Sequence, residues 1–92
     1  MQLLVRNRVA DFQVWLDVFN ADTGPAAEYG LSVAHVWHSA DDPNDVFFLL
    51  DVADKERAIA FMARPESEEN GRKSGVIDGE YHFLKPAAHG GG

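Results

Sequence analysis

A histidine beside a carboxylate lets a protein take a proton from a substrate at neutral pH, because the carboxylate fixes the tautomer and orientation of the imidazole. His35 and Asp51 are suited to form such a pair. If the loop between the two strands that carry them is symmetric, they lie on one face of a hairpin in diagonal positions. In that register Trp37 stands opposite Phe47, His35 opposite Leu49 and Val33 opposite Asp51, with Val36 opposite Phe48 on the other face. A base so placed suits removal of a proton from a phenol or enol. Asn7 is the second polar group of interest: it shares a strand face with Leu3 and Val5, a setting in which its amide can orient a substrate oxygen. Each assignment has a structural alternative. His35 and Asp51 also read as a packing pair at a subunit interface, since Trp37, Phe47 and Leu49 share their face, and Asn7 as an amide satisfied by backbone at a strand end.

The walls of a binding site for an organic molecule would come from Trp15, Phe19 and Trp37, with His82 as a further polar contact. Trp15 and Phe19 recur at helical spacing and serve equally as core packed against a sheet. Tyr29 and Tyr81 are further polar-tipped groups, and Tyr81 and His82 must point to opposite sides of their strand. A metal site is not expected, because His35 and His38 face opposite ways and His82 belongs to another strand. The run Asp41-Asp42-Pro43-Asn44-Asp45 lacks the glycine and spacing of a calcium loop and reads as a turn. His89-Gly90-Gly91-Gly92 imitates an oxyanion-loop string, but no Gly-x-Ser-x-Gly elbow accompanies it.

The elements that position these residues follow from periodicity. Residues 2–9 alternate, with Leu3, Val5, Asn7 and Val9 on one face. Asp11 caps a helix bearing Phe12, Trp15, Leu16 and Phe19, which Gly24-Pro25 should stop, leaving 26–30 as a loop or short turn. Strands at 31–39 and 46–52 form the hairpin. Asp54 caps a helix whose inward stripe is Ala58, Phe61 and Met62, and Pro65 begins a short acidic helical turn that Asn70-Gly71 weakens. Gly75 and Gly79 bracket a turn into a final strand at 80–85, and 87–92 reads as a tail. The order strand, helix, strand, strand, helix, strand predicts an α+β, ferredoxin-like βαββαβ sandwich with one antiparallel sheet, a single domain over 2–86.

The strand Val46-Phe47-Phe48-Leu49-Leu50-Asp51-Val52 is apolar on both faces, and 92 residues supply too few helices to cover both. The face carrying Phe47 and Leu49 is therefore expected to meet a second copy of the chain, making a homodimer. A net charge of −7 argues against nucleic acid or an anionic membrane as partner. No apolar run approaches the ~20 residues that span a bilayer, the first residues lack the order of a secretion signal, and the absence of cysteine excludes disulfides and thiolate chemistry. The expected compartment is the cytoplasm.

Several short strings, together with the order of elements, resemble the dimeric α/β-barrel superfamily and in particular its antibiotic-biosynthesis-monooxygenase-like small proteins. They are Val9-Ala10-Asp11-Phe12 with Trp15 and Phe19, Gly30-Leu31, Asp41-Asp42-Pro43-Asn44, Ala58 with Phe61, Pro65-Glu66, and Gly75-Val76 before Gly79. The resemblance covers residues 2–85. It implies two sandwiches packed sheet to sheet, each with a pocket between its sheet and its helices, in a group that holds cofactor-independent oxygenases of aromatic polyketides, haem-degrading oxygenases and isomerases. The haem-degrading branch places a functional asparagine where this chain has Asn7, within Asn7-Arg8-Val9. It also uses a helix-borne histidine as axial ligand, which this chain lacks, so neither haem nor any other cofactor is expected. Two functions follow: a cofactor-independent monooxygenase-like or isomerase-like enzyme on an aromatic or polyketide-type substrate, with Asn7, His35 and Asp51 as its working groups; or a non-catalytic dimeric ligand-binding or stress-related module using the same cavity.

Overall fold

The computed structural model describes residues 1–87; the glycine-rich string at 89–92 and most of the expected tail lie outside the described residues. Four strands, β1 (Gln2–Val9), β2 (Leu31–His38), β3 (Asp45–Val52) and β4 (Val76–Leu84), form one antiparallel sheet in the order β2-β3-β1-β4. Three helices, α1 (Phe12–Glu28), α2 (Lys55–Met62) and α3 (Pro65–Lys73), complete the ferredoxin-like α+β arrangement. Asp11 and Asp54 cap α1 and α2 as expected: each carboxylate accepts from two backbone N–H groups of the first turn, at 2.9 and 3.2 Å and at 2.9 and 3.3 Å. Pro65 opens α3, with Glu66 and Glu68 in its first turn and Arg72 and Lys73 in its last, which suits the helix dipole.

Three local expectations are corrected. Helix α1 does not stop at Gly24-Pro25 but continues to Glu28. The proline removes one backbone donor, yet Ala26 and Tyr29 pack against the core beyond it, and that contact holds the last turn in place. Gly79 is not a turn residue: β4 begins at Val76, and Gly79 pairs with Asn7 inside the sheet, next to a register shift that leaves Ile77 unpaired. Only Gly75 turns the chain, with φ 75°. In the hairpin, His35 faces Leu49, Trp37 faces Phe47 and Val36 faces Phe48 as expected, but a one-residue irregularity at Ala34 pairs Val33 with Leu50 and Ser32 with Asp51.

The helices cover one face of the sheet. One group of buried side chains, Leu3, Leu31, Leu50, Val52, Ala58 and Phe61, forms beneath α2, and a second, Val9, Trp15 and Val46, beneath α1. Removing a side chain such as Leu3 would cost about 2–5 kcal/mol. Phe48 packs against both groups, yet they do not close on each other. The gap between them is where the site lies.

Candidate functional site

A cavity of about 280 Å³ sits between the sheet and the helices, just under the usual range for sites that hold organic molecules. Its floor is the helix-facing row of the sheet, Leu3, Val5 and Asn7 on β1, Phe48 and Leu50 on β3, and Tyr81 on β4. Strand alternation sets this row, because Val5 pairs with both Phe48 and Tyr81 and all three side chains stand on one side. Its roof is Trp15, Val18 and Phe19 of α1, Phe61 and Met62 of α2, and Asn70 of α3. Trp15, only 2% exposed, stacks on Phe19 with ring centres 4.8 Å apart, and Phe48 meets Phe19 at 5.0 Å and Trp15 at 5.7 Å. These three rings make a rigid aromatic wall. A cleft of about 550 Å³ between α1 and α3 shares Val18, Asp22 and Asn70 with the cavity and leads outward from it.

Most polar groups on the cavity are already engaged. The Ser67 hydroxyl donates to the Phe61 carbonyl, the Ser74 hydroxyl donates to the Gly71 carbonyl at 3.0 Å, and Asp22 accepts from Arg64 at 3.4 Å. Asn7 is different. Among the described residues nothing hydrogen-bonds its carboxamide, which lies over Gly79 on the neighbouring strand and at the edge of the cavity, so the backbone-satisfied alternative does not hold. Asn70 and Tyr81 bring two further uncommitted polar side chains to the lining. A carboxamide held in an apolar wall offers a donor and an acceptor to a ligand at a fixed place.

The remaining expected site residues lie behind the sheet. His35, Trp37, Asp51 and His82 belong to the opposite row, with Gln2, Leu4, Arg6, Phe47 and Leu49, and none of them lines the cavity. His35 stacks flat on Trp37, ring centres 4.9 Å apart, and makes no hydrogen bond to Asp51, whose carboxylate accepts from the Gln2 amide at 3.1 Å. His82 bonds Glu80 at 3.0 Å. The one expected cluster is thus two: Asn7, Trp15 and Phe19 meet at the cavity, whereas the other four share the uncovered face. Arg6 organises that face, donating to both oxygens of Asp45 at 2.8 and 2.9 Å and lying within 3.5 Å of Glu80. The Arg6 guanidinium, chiefly through its hydrogen bonds, holds the Asp45 carboxyl below its ordinary range, and His82 followed by Arg6 does the same for Glu80. In turn Asp45 raises the pKa of Arg6 further.

Among the described residues no group of three histidine or acidic side chains converges to hold a metal ion, and no helix is long and apolar enough to cross a membrane. Phe48, Asp22 and Asn70 are cavity residues that periodicity alone did not single out. Phe48 was within reach, since it must face away from Phe47 and so toward the helices.

No protein-family model and no curated protein sequence matches the chain. Solved structures do. A proposed antibiotic biosynthesis monooxygenase from Bordetella bronchiseptica superposes with a TM-score of 0.78 at 12% identity, over 95% of this chain and 96% of that one. SnoaB, a cofactor-independent oxygenase from Streptomyces nogalater, gives a TM-score of 0.70 at 12% identity over 94% and 93% of the two chains. An uncharacterised NIPSNAP domain protein from Burkholderia xenovorans gives 0.66 at 18% identity over 96% of each. At such identities the likeness establishes the fold: the chain has the ferredoxin-like fold of antibiotic-biosynthesis-monooxygenase-like proteins.

Proposed function

We propose that this protein binds a small, uncharged aromatic molecule in the cavity between sheet and helices and presents the Asn7 carboxamide to one of its oxygens. The observation that carries this reading is the uncommitted Asn7 amide at a cavity walled by the rings of Trp15, Phe19 and Phe48. The reaction such a cavity suits is cofactor-independent oxygenation of a polyketide-type phenol or enol, for which the Asn7 N–H would stabilise the oxyanion left by proton loss. The shared fold with a cofactor-independent oxygenase supports that chemistry. His35 stands behind the sheet, so the carboxylate available on the cavity wall is Asp22. Anthrone is a suitable probe: with one dioxygen it yields anthraquinone and one water, and both dioxygen uptake and quinone absorbance can be followed. Turnover that falls ~10²-fold in Asn7→Ala supports the oxygenase. Tight binding without turnover in the wild type assigns the protein to the non-catalytic binding class, a reading favoured by the lack of a histidine among the described residues that line the cavity.

The functional unit is proposed to be a cytoplasmic homodimer, paired through the uncovered sheet face. Trp37 is 47% exposed there, beside the partly covered Leu4, Phe47 and Leu49, an apolar strip unusual for a monomer. In this arrangement His35, Asp51, Trp37 and His82 are interface residues. Sedimentation at micromolar concentration should give about 20 kDa, twice the 10.2 kDa chain; a stable monomer refutes it.

A further inference from the structure

Among the described residues Gly79 is the one glycine inside a strand, and its backbone does not need to be glycine. The positive-φ glycines among the described residues are Gly30 and Gly75, so the dihedral angles at Gly79 suit an ordinary side chain. Glycine inside a strand weakens it and often marks a place where something must approach closely. Here the close group is known. Gly79 is paired with Asn7 across the β1–β4 ladder, and directly opposed residues point their side chains to the same face. A Cβ built on Gly79 would lie 2.7 Å from Oδ1 of Asn7, inside contact distance, and its nearest other neighbour is the Arg6 carbonyl oxygen at 3.5 Å. The Asn7 carboxamide therefore occupies the space that a side chain at position 79 would fill. The neighbouring pairing shift, which leaves Ile77 out of the ladder, sets the register of this stretch of β4 against β1.

We propose that Gly79 is a positioning residue for ligand recognition: its missing side chain lets the Asn7 carboxamide lie across β4 at the cavity wall, and so makes the site selective for ligands that carry an oxygen at that end. This rests on the reading that Asn7 contacts the ligand. The clash at position 79 is with the far end of a rotatable side chain and not with backbone, so Gly79→Ala turns the carboxamide away while the sheet stays paired.

The test uses the full chain, α-tetralone as the oxygen-bearing probe and tetralin as its hydrocarbon match, with dissociation constants from calorimetry. In the wild type a neutral hydrogen bond favours α-tetralone about three- to tenfold. Gly79→Ala is expected to abolish that preference while leaving tetralin binding within about twofold. In an Asn7→Ala background Gly79→Ala is expected to change neither constant, because the group it displaces is gone. The proposal is overturned if Asn7→Ala loses the preference and Gly79→Ala keeps it. If neither probe binds, or Asn7→Ala keeps the preference, the cavity reading fails and this inference with it. Should Gly79→Ala alone not fold, the double variant must fold and lack the preference; a double variant that also fails to fold overturns the proposal, because the clash is then not with Asn7.

Discussion

Asn7→Leu should make the protein more stable and less useful. The carboxamide has no hydrogen-bond partner among the described residues, but its N and O atoms are reached by solvent, so only a partial desolvation cost of about 0.5 kcal/mol is relieved by its removal. Leucine has nearly the same shape and places apolar atoms over Gly79 at the cavity edge, adding about 1 kcal/mol for a side chain that is partly covered. The sum is about 1.5 kcal/mol of stabilisation, or a Tm increase of roughly 6–12 °C for a chain of this size. Urea unfolding at one fixed protein concentration measures it, with an unchanged m-value required so that the difference reflects stability alone. Preference for α-tetralone over tetralin should vanish in the same variant. A loss of 1 kcal/mol or more in Asn7→Leu would refute the reasoning, since it would mean that the amide holds the fold together and is not kept for a ligand.

Asp54→Ala should cost about 1 kcal/mol by uncapping α2, with probe binding unchanged; a large loss of binding would mean that α2 shapes the cavity more tightly than its contacts suggest. Leu49→Asp should convert the sedimenting species from about 20 kDa to the 10.2 kDa chain, because pairing would bury an unmatched charge at a cost of several kcal/mol; an intact dimer would place the interface elsewhere. The Asp45 carboxyl is held low by Arg6, so its contribution is fully present above the unfolded pKa near ~4 and is lost as pH falls through the lower folded value. Asp45→Asn should therefore flatten the acid limb of the stability profile below pH ~4, and an unchanged limb would show the ion pair to be inert. Hemin titration should give no sharp Soret shift at one equivalent per chain, because among the described residues no histidine lies on a helix or lines the cavity.

Much of this architecture was legible in the sequence because local and global signals agree. The Asp11 and Asp54 caps, the Phe12-Trp15-Leu16-Phe19 stripe and the period-2 run of β1 each point to the element that forms. The errors lie where tertiary packing overrides a local signal: Pro25 reads as a stop, yet Ala26 and Tyr29 are held by the core, and Gly79 reads as a turn, yet its lack of a side chain serves Asn7. The candidate site was half legible. Types and spacing point to Asn7, Trp15 and Phe19, but they also suggest His35 and Trp37 for the same cavity, whereas their cross-strand partners Leu49 and Phe47 belong to the outer face. Strand parity forbids both. Asn70 and Asp22 could not be found this way, because they reach the cavity only through the packing of α1 and α3, which no short-range pattern encodes.

The central claim is that the ligand sits between the sheet and the helices and touches Asn7. Intermolecular nuclear Overhauser effects in the α-tetralone complex test it directly. The account predicts contacts from the probe to the side-chain amide protons of Asn7 and to the ring protons of Trp15 and Phe19. Contacts confined to His35 and Trp37, on the far side of the sheet, would contradict it.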